Sequence, residues 1–191
     1  LGAAKCISVA AARIIAEHQG PLRLGGLTEL PEEVALALAG QRGMLYLKGL
    51  RKLPENVARA LAGHEWPLFI NGLTMLTAEA AHALAEKRGL LHLDGLNELS
   101  REAVEALAAH QGCLYLNGLT QITDETAQAL AKHQGTLYLD GVSWLSDAAA
   151  QAIVSHRGPI YLRGLTNVSL VVAKALAGRR VRLFIDGLGG S

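Results

Sequence analysis

Seven histidines and two cysteines are among the residues of this chain whose types could hold a metal or carry chemistry. His18, His64, His110, His133 and His156 stand at multiples of one constant interval, 23 places along the chain. That column invites a zinc reading, because neutral imidazoles ligate this ion. Spacing opposes it. The column falls in the last turn of successive helices, whose axes lie about 8 to 10 Å apart, whereas two ligands of one zinc each sit about 2 Å from it. Lys87 and Arg179 occupy the same column, so the expected role is a donor facing the carbonyls at a helix C-terminus. His92 is a separate case. With Asp94 and Tyr115 it would form an imidazole, acid and phenol group of the kind used in general acid–base chemistry. No nucleophile motif or glycine-rich phosphate loop accompanies it, so the chain is read as non-catalytic, with no metal and no cofactor expected.

The elements that must position these residues come from one repeat. Gly26, Gly49, Gly72, Gly95, Gly118, Gly141, Gly164 and Gly187 recur at that same interval without a slip, the mark of a stacked array. Residues 114 to 136, LYLNGLTQITDETAQALAKHQGT, carry every part of the unit. The L-x-L start, such as Leu114 and Leu116, alternates like a strand with one buried face. Strands are expected around positions 22 to 24 and once in every repeat thereafter. Thr77, Ser100, Thr123, Ser146 and Ser169 form a helix N-cap column, with Pro31 and Pro54 in their place in two repeats. Glu79, Glu102 and Glu125 follow near the positive helix end. Leu38, Leu61, Leu84, Leu107, Leu130, Ile153 and Leu176 mark the buried stripe of helices expected near 9 to 18, 32 to 41 and their repeats, beside small alanines such as Ala106 and Ala129. Gly20, Gly43, Gly89, Gly112, Gly135 and Gly158 read as left-handed helix C-caps.

Strand, turn and helix within so short a unit force successive strands to be parallel, and each unit buries its apolar side only against its neighbours. Helices need about 8 to 10 Å between axes and strands about 4.8 Å, so the array is expected to curve with the sheet on the concave side. These units resemble the leucine-rich repeat superfamily, in particular short bacterial repeats with an A-x-A-L-A helical half. The resemblance covers nearly all of residues 1 to 191, as one domain of eight repeats with a degraded half repeat at 1 to 7. It implies an α/β horseshoe that binds proteins or other ligands on its concave face, and it brings no catalytic residues. One column departs from the commoner pattern: the buried asparagine ladder is replaced by Leu27, Leu50, Leu73, Leu96, Leu119, Val142, Leu165 and Leu188.

The outward residue of each L-x-L carries the main binding candidate. That column reads Arg23, Tyr46, Phe69, His92, Tyr115, Tyr138, Tyr161 and Phe184, and it holds six of the eight Phe, Tyr and Trp residues of the chain. Adjacent rings can stack into a ladder of the sort that amphipathic partners grip. The same stacking also stabilises an exposed sheet without any ligand, and both readings stand on the residues alone. Lys48, Asn71, Asp94, Asn117, Asp140, Arg163 and Asp186 come next along the face. Their Asn-Gly and Asp-Gly pairs read first as turns bonding their own local backbone; Asn117, Asp140 and Arg163 would also flank the longest tyrosine run. Trp144 breaks a turn column otherwise held by Glu29, Lys52, Met75, Glu98, Gln121 and Asn167 and is expected to be exposed, either as an anchor for a partner or as a single apolar surface residue, whereas Trp66, in a glycine column before Pro67, is expected to pack over an altered turn.

Composition bounds the partners. Lys and Arg number 18 against 17 Asp and Glu, a net charge of +1, with no basic run, so nucleic acid is not an expected partner. No apolar run reaches membrane-span length, and the opening residues lack the layout of a signal peptide. The opening on Leu1 in mid-pattern and the closing Gly189-Gly190-Ser191 are compatible with a piece of a longer chain and leave that open. Cys6 and Cys113 stand more than four repeats apart and cannot bridge, a usage compatible with the cytoplasm that leaves the compartment open. Two functions follow: a scaffold presenting its aromatic face to a protein, a peptide or a glycan, or an assembly element that self-associates through its open ends. Added zinc is expected to leave the melting temperature unchanged; a sub-micromolar calorimetric isotherm abolished by a His110, His133 and His156 triple substitution would overturn this.

Overall fold

The fold is known from a computed structural model that describes residues 5–178 and 182–186. Part of the half repeat at 1 to 7, and Arg179, Gly187 and Leu188, lie outside the described residues. Helix and strand alternate along the chain: α1 Val9–Ala16, β1 Leu22–Arg23, α2 Glu32–Ala39, β2 Leu45–Tyr46, α3 Glu55–Ala62, β3 Leu68–Phe69, α4 Ala78–Ala85, β4 Arg88–His92, α5 Arg101–Leu107, β5 Gln111–Tyr115, α6 Asp124–Leu130, β6 Leu137–Tyr138, α7 Asp147–Val154, β7 Ile160–Tyr161, α8 Leu170–Ala177 and β8 Leu183–Phe184. The strands form one parallel sheet in sequence order. Each strand residue pairs with its equivalent in the next repeat, as Leu114 with Leu137 and Tyr115 with Tyr138. The chain is therefore a repeat solenoid in the register its glycines predict.

The helices begin where a side-chain oxygen meets the first free amides. Thr77, Ser100, Thr123, Ser146 and Ser169 each accept from the backbone N–H three residues on, and Ser8 does the same for α1. Pro31 and Pro54 occupy the cap position itself, in extended geometry and without a side-chain bond. Behind the caps the leucines close the core. Leu38, Leu61, Leu84, Leu107 and Leu130 are fully buried, together with the paired leucines of the central strands. The first two helices stop at Ala16 and Ala39, short of the expected limits, and right-handed caps such as Glu17, Gly40, Ala108 and Ser155 close the helices.

The expected left-handed caps are thus corrected. Gly89 and Gly112 lie inside β4 and β5 and pair with one another. A Cβ on Gly112 would overlap the carbonyl group of Gly89, and its φ of +149° lies where side chains rarely go. What selects glycine at position 112 is the close approach of successive backbones at the strand entrance, whereas at Gly89, where a Cβ would meet nothing within 4 Å, it is the left-handed φ of +86°. The repeat glycine obeys a similar limit: a Cβ on Gly118 would strike the carbonyl oxygens of Asp94 and Leu96 in the preceding turn.

Two substitutions test this packing. Leu107→Ala, at a fully buried site, is expected to cost about 2 to 5 kcal/mol in denaturant unfolding. Gly112→Ala is expected to lower the melting temperature sharply, whereas Gly178→Ala is expected to leave it level or higher, because its Cβ meets only ordinary contacts at 3.6 Å and the change stiffens the unfolded chain. Equal losses in the two glycine variants would contradict the close-approach account.

Candidate functional site

The sheet face opposite the helices holds the aromatic column as one continuous stack. Tyr46, Phe69, His92, Tyr115, Tyr138, Tyr161 and Phe184 follow one another with ring centroids 3.6 to 4.3 Å apart and planes within 3° to 19° of parallel. The cause is the strand register. Each of these residues pairs directly with the next across adjacent strands, so equal rotamers bring equal rings face to face although free rings prefer an offset. The Arg23 guanidinium covers the open face of Tyr46 at 5.0 Å. Ring faces are therefore spent within the stack, and what remains outward is ring edges and phenol hydroxyls. The side chain of His92 keeps only 12% of its surface exposed. The phenol of Tyr138 is raised above its ordinary pKa, first by its hydrogen-bonding neighbour Tyr115 and then by burial.

Beside the rings runs a second ladder that the local-turn reading missed. The Asp94 Oδ1 accepts from the Asn117 backbone N–H at 3.1 Å, the Asn117 Oδ1 from Asp140 at 2.9 Å, and the Asp140 Oδ1 from Arg163 at 3.1 Å. These side chains bond the next repeat, not their own turn. The same carboxylates and amide lie low on the sheet, pinned by those bonds. Arg163 reaches Asp140 at 3.6 Å and Asp186 at 3.3 Å, and its guanidinium stands 4.8 Å from the Tyr161 ring centre. On the other flank Tyr46 donates to the Met44 sulfur at 3.3 Å, a neighbour not anticipated from the sequence although it sits two places before the ring on the same face of the strand.

The structure brings together His92, Asp94 and Tyr115, but not as a proton relay. The His92 Nδ1 lies 3.5 Å from Asp94, while its contact with Tyr115 is ring on ring at 3.6 Å. Trp144 stands away from the stack, in the turn leading to α7. It is 49% exposed and lines a shallow hollow of about 380 Å³ with Gln121, Thr123, Asp124 and Ser146. Trp66 is half exposed rather than packed away. Cys6 and Cys113 are both free thiols.

The histidine column is where the sequence reading needs most correction. His64, His110, His133 and His156 are each 1% exposed, and Lys87 is fully buried. They sit just past their own helices and turn inward onto the preceding repeat: His64 Nδ1 lies 3.2 Å from the carbonyl oxygen of Ala39, the last residue of α2, which is the donor role expected of this column, while the others reach further along. Nε2 of His110, His133 and His156 lies 3.0 Å from the carbonyl oxygens of Gly89, Gly112 and Gly135. The acceptors fix Nε2 as the protonated nitrogen. Gln41 holds the same column and donates to the Gly20 carbonyl at 2.6 Å, a position the histidine pattern concealed. Lys87 donates to the carbonyls of His64 and Arg88, each at 2.9 Å. The rings of His110, His133 and His156 are 5.9 to 6.1 Å apart and parallel, closer than helix spacing suggests. Their Nε2 atoms are engaged by carbonyls. Among the described residues no group of three or more His, Cys, Asp or Glu side chains is arranged to hold a metal. No described helix is long and apolar enough to cross a membrane.

Neither protein-family models nor curated proteins give a match to this sequence.

Burial gives the inner column a pH signature. Desolvation holds His110 down to about 4 and lowers His64 and His133 as well; Lys87 is held at about 8 by the same cause. A base with a depressed folded pKa adds no pH dependence while both states are neutral. Below its unfolded value near 6.5 the unfolded chain gains the proton first, so stability falls as pH drops toward 4. Between those two values His110 contributes a slope of at most about 1.4 kcal/mol per pH unit. His110→Gln, which places the donor of Gln41 at this step, is expected to flatten that loss in urea titrations at pH 7, 6, 5 and 4. An unchanged slope would refute the buried-imidazole account.

Proposed function

We propose that the chain is a non-catalytic binding scaffold of leucine-rich repeat type, curved like a horseshoe, that presents its concave aromatic sheet to a protein or peptide. The graded spacing of equivalent side chains supports the curvature. Ring centroids on the sheet face are 3.6 to 4.3 Å apart, strands pair at about 4.8 Å, and the imidazoles on the helix side are 5.9 to 6.1 Å apart. Pitch that widens from sheet face to helix side is the geometry of an arc.

The observation that carries the binding reading is the unbroken stack from Tyr46 to Phe184. Its rings lose little entropy when a partner orders them, and Tyr115, Tyr138 and Tyr161 add hydroxyls to apolar edges. A polypeptide suits this surface better than a glycan. Sugars grip aromatic side chains through exposed ring faces, and here the faces lie against one another. Asn117, Asp140 and Arg163 would supply the polar rim, with Trp144 as a separate anchor. A second reading, end-to-end assembly, rests on β1 and β8 being the edge strands of the sheet, since an edge strand offers unpaired backbone groups to another chain. Size-exclusion elution that shifts with concentration would favour it.

Panning a displayed random-peptide library on the intact protein tests the main reading. The affinity of a selected peptide is expected to fall by about 2 kcal/mol, roughly thirtyfold, in Tyr138→Ala. It is expected to hold in Gln128→Ala, an exposed position on α6. Equal loss in both, or loss only in the helix variant, would leave the column as a stacking ladder alone.

A further inference from the structure

The stack and the ladder beside it differ in side-chain length, and the difference makes a step along the sheet face. Tyrosine, phenylalanine and imidazole rings stand up from the sheet. Asp94, Asn117 and Asp140 are drawn down by their bonds to the backbone of the following repeat. Long rings beside shorter amide and carboxylate side chains give a one-walled trough across the strands, ring edges on one side and Asp and Asn on the other. Its part from β3 to β6 passes Phe69, His92, Tyr115 and Tyr138. The reach of four strands at about 4.8 Å spacing is roughly 15 Å.

The wall has a defined electrostatic character. An aromatic ring is negative on its face and positive at its edge. Edges in a row therefore attract the π face of a flat molecule laid along them, in the edge-to-face arrangement that single ring pairs prefer. The floor sets the preferred charge. Between β3 and β6 it carries Asp94 and Asp140, separated by the neutral Asn117 and preceded by Asn71; the cations of the column bracket it, Lys48 two repeats before Asp94 and Arg163 3.6 Å from Asp140 and 3.3 Å from Asp186, so Asp94 is the carboxylate furthest from either. The first ladder oxygen of each aspartate is taken by a backbone amide, and the second, Oδ2, bears the remaining contact: His92 Nδ1 at 3.5 Å for Asp94 and Arg163 for Asp140.

We propose that this trough is a binding site for long, flat, conjugated cations, which lie across the strands with their planes against the ring edges and their charge beside Asp94. The proposal rests on the reading of the sheet face as a recognition surface and adds a ligand class to it. A short or bent aromatic molecule meets too few edges, and a rod of the opposite charge meets the carboxylates. The steric rule is the register itself: only a ligand able to run perpendicular to the strands contacts several repeats at once.

Thioflavin T, a flat cationic rod whose emission rises when its internal rotation is blocked, is the probe. It is titrated into the intact protein after ultracentrifugation, so that aggregates do not contribute, with Congo red as an anionic rod of similar shape. The expected result is a saturable rise in emission, reduced about tenfold in affinity by Tyr115→Ala with Tyr138→Ala. Asp94→Asn with Asp140→Asn is expected to weaken it several-fold while leaving the fold intact, because Asn117 already makes the same ladder bond. Gln128→Ala is expected to change nothing. If the tyrosine pair loses its circular dichroism, the asparagine pair carries the test alone, since it alters charge without altering the stack. Emission that never saturates, survives both pairs of substitutions, or is matched by equally tight Congo red binding would overturn the proposal. Peptides that still depend on Tyr138 in that event would preserve the recognition reading, so the two failures are distinguishable.

Discussion

Every feature of this molecule depends on one constraint, the pairing of each strand residue with its equivalent in the next repeat. Backbone hydrogen bonds such as Leu116 N–H to Tyr138 carbonyl and Leu139 N–H to Tyr161 carbonyl, both 2.9 Å, lock neighbouring turns at strand spacing. Whatever a column contains is then repeated at that spacing whether or not the residues would choose it. Leucines become a continuous core, rings become a stack, and carboxamides become a ladder. Glycine is required where two backbones come closer than a side chain permits, which is why Gly112 and Gly118 hold fixed places in the repeat.

The same constraint decides what becomes of polar groups inside. A solenoid turn leaves carbonyls at the helix-to-strand passage that the sheet does not use, and a buried acceptor without a donor is costly. The inner column answers this with a donor in each of several repeats: Gln41 to Gly20, Lys87 to His64, His110 to Gly89, His133 to Gly112. Chemically different side chains serve because the demand is only for an N–H of suitable reach. Lys87 is the costly member, a cation placed between His64 and His110 where its charge helps to hold both imidazoles neutral.

The outer face follows the opposite logic. Its columns are free of the core, so composition there varies from Arg23 through His92 to Phe184, yet register still aligns the side chains into a wall and a floor. A surface built in this way is ordered by its own register, and it presents ring edges and hydroxyls rather than ring faces, which separates it from a set of isolated aromatic side chains.

Periodicity alone was enough to determine the strand register, the parallel order, the capping role of Thr77 or Ser146 and the membership of each column, because those depend on residue type and spacing along the chain. Direction and depth were decided only in three dimensions. His110, His133 and His156 read as surface caps in sequence, yet they turn inward, since the carbonyl each satisfies belongs to the preceding repeat, 21 residues away. Gly112 read as a helix end, yet it is a strand residue, since the clash it avoids is with Gly89 and not with its own helix. Asp94 read as a local turn former, yet its oxygen caps the amide of Asn117 in the following repeat. In each case the partner lies in the neighbouring turn of the solenoid, and a linear pattern names the residue without naming the atom that faces it across the gap.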